Sequence, residues 1–300
     1  MQVEQPGIYT MPLTEYLADP APSPSMSSGI AHAMLEESPL HAFWKHPRLN
    51  PHYQPEVNEK FDLGSAAHAV LLEGDYKKIA VIKATDYRTK EAKETRDAAR
   101  EACMIPVLVE QMMDIEEMVE AAKLAIAESE LAEVFTPDGG DSEQTLIWQD
   151  DGVWCKSRPD RLSKDRRIIV DYKTTGASAE PNTWMKGPMI GNGCDLQAAL
   201  GLRGIKALTN EATLSYEPQF IFLVQENYAP YAVSFVGFGP QFQHYADVRL
   251  SRAMKIFKRC WTRNEWPGYP TQTAWVAPPP WKLTEWDAQV EAIDAEKEPT

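Results

Sequence analysis

Long apolar runs, paired cysteines and an excess of positive charge are all missing from this 300-residue chain. No apolar stretch approaches the roughly 18–20 residues needed to cross a bilayer. The opening MQVEQPGIYT has no basic segment followed by an apolar one, so no secretory leader is expected there, no membrane partner is expected, and a soluble, cytoplasmic protein is. The four cysteines, Cys103, Cys155, Cys194 and Cys260, form no C-x-x-C pair, which excludes a clustered-thiolate site. They read as dispersed apolar residues, and no iron–sulfur cluster is expected. Lys and Arg total 30 against 44 Asp and Glu, a net charge of −14. That balance is poor for a protein that coats DNA, because phosphate contacts dominate such binding. It leaves room for a local positive track, or for a bound cation where carboxylates cluster. No internal repeat is visible.

What is present suffices for a large core: 43% hydrophobic residues, 10% aromatic. Residues 1–24, rich in proline and turn formers, read as an extended segment. Ser25, Ser27 or Ser28 can cap a helix to about residue 35, and Ser38-Pro39 reads as an N-cap with proline at the first helical position. A loop over 47–55 follows, then an apolar helix over 64–72 that Gly74 can end. Residues 89–102 are polar and helical in composition, and Lys90, Lys93, Arg96 and Arg100 fall on one face. That basic face is either solvated or a DNA contact. An acidic amphipathic helix, in one piece or two, is predicted over 107–134.

The character changes at Pro137-Asp138-Gly139-Gly140. Strands over 144–149 and 153–157 flank Asp150-Asp151-Gly152, a hairpin signal. A third strand over 167–173, a helix over 196–208, strands over 219–225 and 231–236, and a helix over 241–260 follow. Residues 276–280 form a proline-rich spacer and 284–296 an acidic helical tail. The expected organisation is therefore an extended segment 1–24 and one domain 25–275. Its helical part spans 25–136 and its α/β part 137–275; a spacer and tail, 276–300, follow.

The most informative stretch is SRPDRLSKDRRIIVDYKTT, residues 157–175. The short β-branched run Ile168-Ile169-Val170 reads as a buried strand that ends in Asp171-Tyr172-Lys173. Period-two geometry sends the Asp171 and Lys173 side chains to one face and Tyr172 to the other. With Asp160 eleven positions upstream, two carboxylates and an ammonium can converge, which is equipment for metal-assisted phosphodiester hydrolysis. A turn aspartate and a surface ion pair are the plainer explanations of the same residues.

Pro159-Asp160 and Asp171-Tyr172-Lys173 resemble the PD-(D/E)xK nuclease superfamily. Gly64 to His68 matches the G-x-x-x-H element of its RecB-like branch, and Gln197 stands where that branch has Q-x-x-x-Y. The tyrosine position is Gly201 here, a departure from the pattern. The chain is most similar to RecE-like exonucleases of the exodeoxyribonuclease VIII type, from phages and prophages, over about residues 8–270. Ser25–Ser28, Ser38-Pro39, GVWCKSRPD (152–160) and Trp266-Pro267-Gly268-Tyr269 add to the likeness.

The resemblance implies an α/β restriction-endonuclease-like core, a central mixed β-sheet flanked by helices, with an N-terminal helical region. It implies Asp160, Asp171, His68 and the Tyr172 carbonyl as metal ligands, with Lys173 and Gln197 as further catalytic residues. Mg²⁺ suits hard oxygen donors, and Mn²⁺ should substitute. Arg158, Arg161, Lys156, Lys90, Lys93 and Arg96 are candidate DNA contacts, while Glu143, just before the first hairpin strand, could add a carboxylate to the site, with surface exposure the plainer reading. The implied activity is 5′-to-3′ digestion of linear duplex DNA in a bacterial host cell. It would leave 3′ single strands for a single-strand annealing protein, and the enzyme would be a ring-shaped homo-oligomer. Single-strand or flap cleavage, endonuclease action, and a catalytically silent DNA-end scaffold are the alternatives.

Overall fold

The computed structural model describes residues 2–54, 62–209 and 217–297; Pro55, the end of the predicted loop, lies outside them. The chain opens with β1 (Gly7–Thr10) and a short helix α1 (Leu13–Leu17). Residues 1–24 are therefore not simply extended: β1 pairs antiparallel with a strand of the hairpin far along the sequence, Gly7 opposite Ile147. Proline-rich composition concealed this because the pairing is non-local.

Two capped helices follow as the sequence predicts. In α2 (Ser28–Glu36) the Ser27 hydroxyl accepts from the Ile30 amide, and in α3 (Pro39–Lys45) Ser38 accepts from that of His41, with proline in the first turn. Next comes α4 (Asp62–His68), continued by a π-turn, Ala69–Glu73, and stopped by Gly74 at φ 63°. Beyond it lie β2 (Ile79–Ile82), α5 (Lys90–Glu101), β3 (Ile105–Leu108) and α6 (Val109–Ala127). Here the structure corrects the start of the helix, in one piece or two, expected over 107–134. Its first residues form β3, which pairs in parallel with β2. A four-residue apolar run is too short to separate strand from helix by periodicity.

The remaining elements are β4 (Gly140–Ser142), β5 (Gln144–Asp150), β6 (Val153–Ser157), β7 (Arg161–Ser163), β8 (Ile168–Thr175), α7 (Pro181–Trp184), α8 (Cys194–Leu208), β9 (Gln219–Glu226), β10 (Val233–Gly237), α9 (Pro240–Arg263) and α10 (Pro280–Lys297). The five-stranded sheet has the order β10-β9-β8-β7-β4. Its β8–β9 pair is parallel and the others antiparallel, so the expected mixed sheet is present. The β5–β6 hairpin joins β1 in a separate three-stranded sheet.

Strand β8 lies at the centre with both faces covered. Ile169 packs with Leu196, Leu200 and Phe222 under α8 and α9, whereas Val170 and Tyr172 pack with Ile115, Met118 and Leu223 toward α6 and α4. Period-two alternation thus assigns neighbouring β8 side chains to two different cores. Compact unit Met1–Pro267 contains all of these elements except α10, which lies in a second unit, Gly268–Thr300. Among the described residues, no helix is long and apolar enough to cross a membrane.

Gly201 explains the departure from the Q-x-x-x-Y pattern. A Cβ there would lie 2.8 Å from the Phe220 ring and 3.5 Å from the Ile169 methyl, so α8 rests on the sheet with no room for a side chain. Helix propensity alone favours Gly→Ala by about 1 kcal/mol. The structure predicts the opposite sign: Gly201→Ala should destabilise, by about 1–3 kcal/mol as for other overpacked cores, with Gly201→Tyr worse. Urea unfolding midpoints check this.

Candidate metal and phosphodiester site

The β7–β8 register places Arg161 opposite Val170 and Leu162 opposite Ile169. Asp160 directly precedes Arg161 and Asp171 directly follows Val170, so the end of this ladder brings the two aspartates into one neighbourhood. Asp160 belongs to the link between β6 and β7, and that link is fastened to β8 by the Tyr172 amide, which donates to Asp160 Oδ2 at 2.7 Å. In an extended strand the amide and carbonyl of one residue project to the same side. The Tyr172 carbonyl therefore faces Asp160 as well.

Lys173 Nζ lies 2.6 Å from Asp171 Oδ2, and Gln197 on α8 donates from Nε2 to Asp171 Oδ1 at 2.5 Å. Tyr172 points to the opposite face, where its hydroxyl donates to Gln225 Oε1 at 2.5 Å. From the other side, α4 delivers His68, whose Nε2 stands 3.1 Å from Asp160 Oδ1 and 3.2 Å from Glu143 Oε1. Two contacts set this helix. A Cβ on Gly64 would fall 2.5 Å from the Thr174 hydroxyl, so only glycine lets α4 lie this close to β8. At its first turn, Asp62 is held by Arg100 of α5 at 2.8 Å.

The structure thus draws together Asp160, Asp171, Lys173, His68, Gln197 and the Tyr172 backbone. It also adds Glu143, for which surface exposure is the plainer reading of the sequence. Glu143 follows β4 with φ 58°, an uncommon conformation for a residue with a side chain. Its amide donates to the Asp160 carbonyl at 3.1 Å, and Arg158 Nε holds its Oε2 at 2.6 Å. His68, Glu143 and Asp160 offer donor atoms all within 4.8 Å of one another. No motif spacing marked Glu143. The only signal was its place at the start of the first hairpin strand.

The electrostatics follow from crowding carboxylates in a buried place. Burial and the neighbouring Asp160 push the Asp171 carboxyl up to about 6, against the pull of Lys173. Burial also disfavours ionised Asp160, but His68, Lys173 and the Tyr172 amide outweigh it and hold the group below the usual carboxylate value. Burial opposes the His68 imidazolium, yet Asp160 and Glu143 raise it to about 9. Lys173 is likewise disfavoured by burial and pushed above the ordinary lysine value by Asp171 and Asp160. Burial raises the Glu143 carboxyl.

The donor set fits a divalent cation. Asp171 Oδ2 is met by Lys173 at 2.6 Å and Glu143 Oε1 by His68 at 3.2 Å, one cation each, which leaves each buried oxygen a lone pair for a further partner. Asp160, Asp171, Glu143 and the Tyr172 carbonyl are hard oxygen donors and His68 an imidazole, a mixture suited to Mg²⁺ or Mn²⁺.

Three expected DNA contacts are corrected. Arg161 is buried and donates to Val134 O, Ser142 Oγ and Thr136 O. Lys156 is buried, with Nζ on the Tyr16 carbonyl at 2.6 Å and burial pulling its pKa to about 8. Arg158 is consumed by Glu143, Thr145 Oγ1 and the Met11 carbonyl. Sequence adjacency to Asp160 gave no view of these partners. The basic face of α5 is also divided. Lys90 and Lys93 are exposed, while Arg96 pairs with Asp97 and stacks 5.5 Å from the Tyr87 ring centre, and Arg100 holds Asp62.

Comparison with known proteins agrees with this architecture. A family model described as a PDDEXK-like domain of unknown function (DUF3799) matches residues 33–276. The chain belongs to that family, and so to the PD-(D/E)xK superfamily. The crystal structure of a protein provisionally named an exonuclease, from Eubacterium rectale, shares the fold at a TM-score of 0.52. It is 12% identical, with 87% of this chain and 92% of that one covered. A second solved structure, SSO0001, is 13% identical over 68% of this chain and 88% of its own, at a TM-score of 0.29, too low to carry a fold argument. No curated protein matches.

Three outcomes test these placements independently of any activity. Titration calorimetry should detect Mn²⁺ binding that Asp160→Asn and Asp171→Asn each weaken by on the order of 10-fold or more, as loss of a charged ligand requires. Arg161→Ala should lower stability by about 1–3 kcal/mol, since it leaves buried acceptors unpaired. Lys93→Ala should leave stability unchanged within about 0.5 kcal/mol.

Proposed function

We propose that the chain is a divalent-metal-dependent deoxyribonuclease. The observation that carries this is the convergence of Asp160, Asp171, Lys173, His68 and Gln197 at one edge of β8, every contact among them 3.2 Å or shorter. A bound Mg²⁺ or Mn²⁺ would supply Lewis-acid stabilisation of a phosphoryl oxygen and make a water acidic enough to attack at neutral pH. The chain's own groups do the rest. Lys173, kept protonated by two carboxylates, presents fixed positive charge to the phosphate or the attacking water. Gln197 fixes the Asp171 carboxylate in one orientation, and Arg158 does the same for Glu143.

The finer reading is a RecE-like exonuclease that degrades linear duplex DNA from the 5′ end and leaves 3′ strands for a single-strand annealing protein. Its support is the Gly64–His68 and Gln197 elements, together with the exonuclease name carried by the structural neighbour. A ring-shaped homo-oligomer, a cytoplasmic site of action and contacts from Lys90 and Lys93 to DNA complete the proposal. Endonuclease action on the same fold is the second reading, because the catalytic geometry itself is indifferent to DNA ends.

Cleavage of end-labelled linear duplex in Mg²⁺ should vanish in EDTA and return with Mn²⁺. Lys173→Ala should lose about 10²-fold or more in rate while Mn²⁺ binding persists. Hydrolysis in excess chelator would reject the mechanism. A covalently closed circle should survive where the linear form is digested, and rapid cutting of the circle would replace the exonuclease reading with the endonuclease one.

A further inference from the structure

Tyr16 belongs to the N-terminal segment that the active-site motifs do not reach, yet the fold brings it beside the site. The β1–β5 pairing fixes the chain across the hairpin, and α1 follows directly. The Tyr16 carbonyl accepts from Lys156 Nζ at 2.6 Å, and its ring centre lies 4.5 Å from that ammonium and 5.9 Å from the Arg158 guanidinium. Neither cation is free to wander. Lys156 is buried, and Arg158 is tied to Met11, Thr145 and Glu143, the last of which contacts His68. The ring is therefore held in place by the same arginine that holds a carboxylate of the site.

The hydroxyl is the part that packing does not explain. Tyr16 is half-buried, and its hydroxyl has no hydrogen-bond partner among the described residues. Burial pushes the phenol above its ordinary range; Arg158 pulls it back in part, Asp19, Asp171 and Glu143 push it up again, and it remains a neutral donor. Apart from Lys173, Gln197 and the His68 imidazolium, which already faces Asp160 and Glu143, the groups gathered at the site are acceptors. A phosphodiester entering it needs donors aimed at its non-bridging oxygens, and Lys156, Arg158 and Arg161 are spent on internal partners.

We propose that Tyr16 is a further substrate-contacting residue, whose hydroxyl donates to a non-bridging oxygen of the phosphodiester held against Asp160 and Asp171. This rests on the nuclease reading above. The two cations hold the ring beside Arg158 and so beside Glu143, and the neutrality of the phenol lets it approach the carboxylates without competing with a bound cation. Tyr16→Phe removes only the donor, whereas Tyr16→Ala removes the ring as well.

The test uses the full chain with Mn²⁺ and an end-labelled duplex. Tyr16→Phe should lose on the order of 10-fold or more in kcat/KM, the scale of one hydrogen bond to a charged group. Its Mn²⁺ affinity and thermal midpoint should match the wild type. Wild-type rates in Tyr16→Phe overturn the contact, as does a deficit confined to Tyr16→Ala, which assigns the ring to packing alone. Loss of Mn²⁺ affinity in Tyr16→Phe parallel to its loss of rate overturns it too, because the residue then supports the metal site. A wild-type chain that cleaves nothing rejects the nuclease reading together with this inference, whereas active wild type with an equally active Tyr16→Phe rejects the inference alone.

Discussion

The site depends on one hydrogen bond, from the Tyr172 amide to Asp160 Oδ2. Asp160 and Asp171 come from different segments, and each raises the cost of ionising the other. Burial works against an ionised Asp160, and His68, Lys173 and the Tyr172 amide together offset it. The Tyr172 amide offers the Asp160 carboxylate a donor at the edge of the strand that carries Asp171. The β7–β8 ladder ends at Arg161 opposite Val170, directly before the two aspartates. A charge-assisted bond of this kind is stronger than a neutral one and favours the ionised acid it holds.

Close approach of helices completes the arrangement, and it is achieved by leaving side chains out. Gly64 lets α4 meet β8 at Thr174, which carries His68 to Asp160 and Glu143. Gly201 lets α8 settle on Phe220 and Ile169, one helical turn beyond the Gln197 that orients Asp171. In both helices the residue that touches the carboxylates is positioned by a glycine four residues away. The Arg100–Asp62 pair ties the start of α4 to α5, so an arginine that looks like surface charge supports the histidine at a distance.

Helices α2 and α3, the β5–β6 hairpin, strands β8, β9 and β10, helices α8 and α9, and the pairing of Asp171 with Lys173 were legible because they rest on local signals, whereas β4, β7 and α7 were not expected. These are the β-branched run before Asp171, the Asp-Gly turn, and serines ahead of apolar helices. What escaped was non-local. β1 is a strand only because β5 is beside it, and β3 only because of β2. Glu143 reads as one more acidic residue near a turn until Arg158 and His68 close on it. Lys156, Arg158 and Arg161 were misread for the same reason. Adjacency to Asp160 predicts a shared neighbourhood, but their chains turn to the N-terminal segment, to Glu143 and to the carbonyls at 134 and 136.

The central claim is that these residues form a divalent-cation site. The most direct measurement is anomalous diffraction from crystals grown with Mn²⁺. The account predicts an anomalous peak bounded by the Asp160 and Asp171 carboxylates and the Tyr172 carbonyl, with the His68 imidazole turned toward it. Crystals that hold Mn²⁺ only elsewhere on the molecule, with His68 still paired to Asp160 and Glu143, would contradict it.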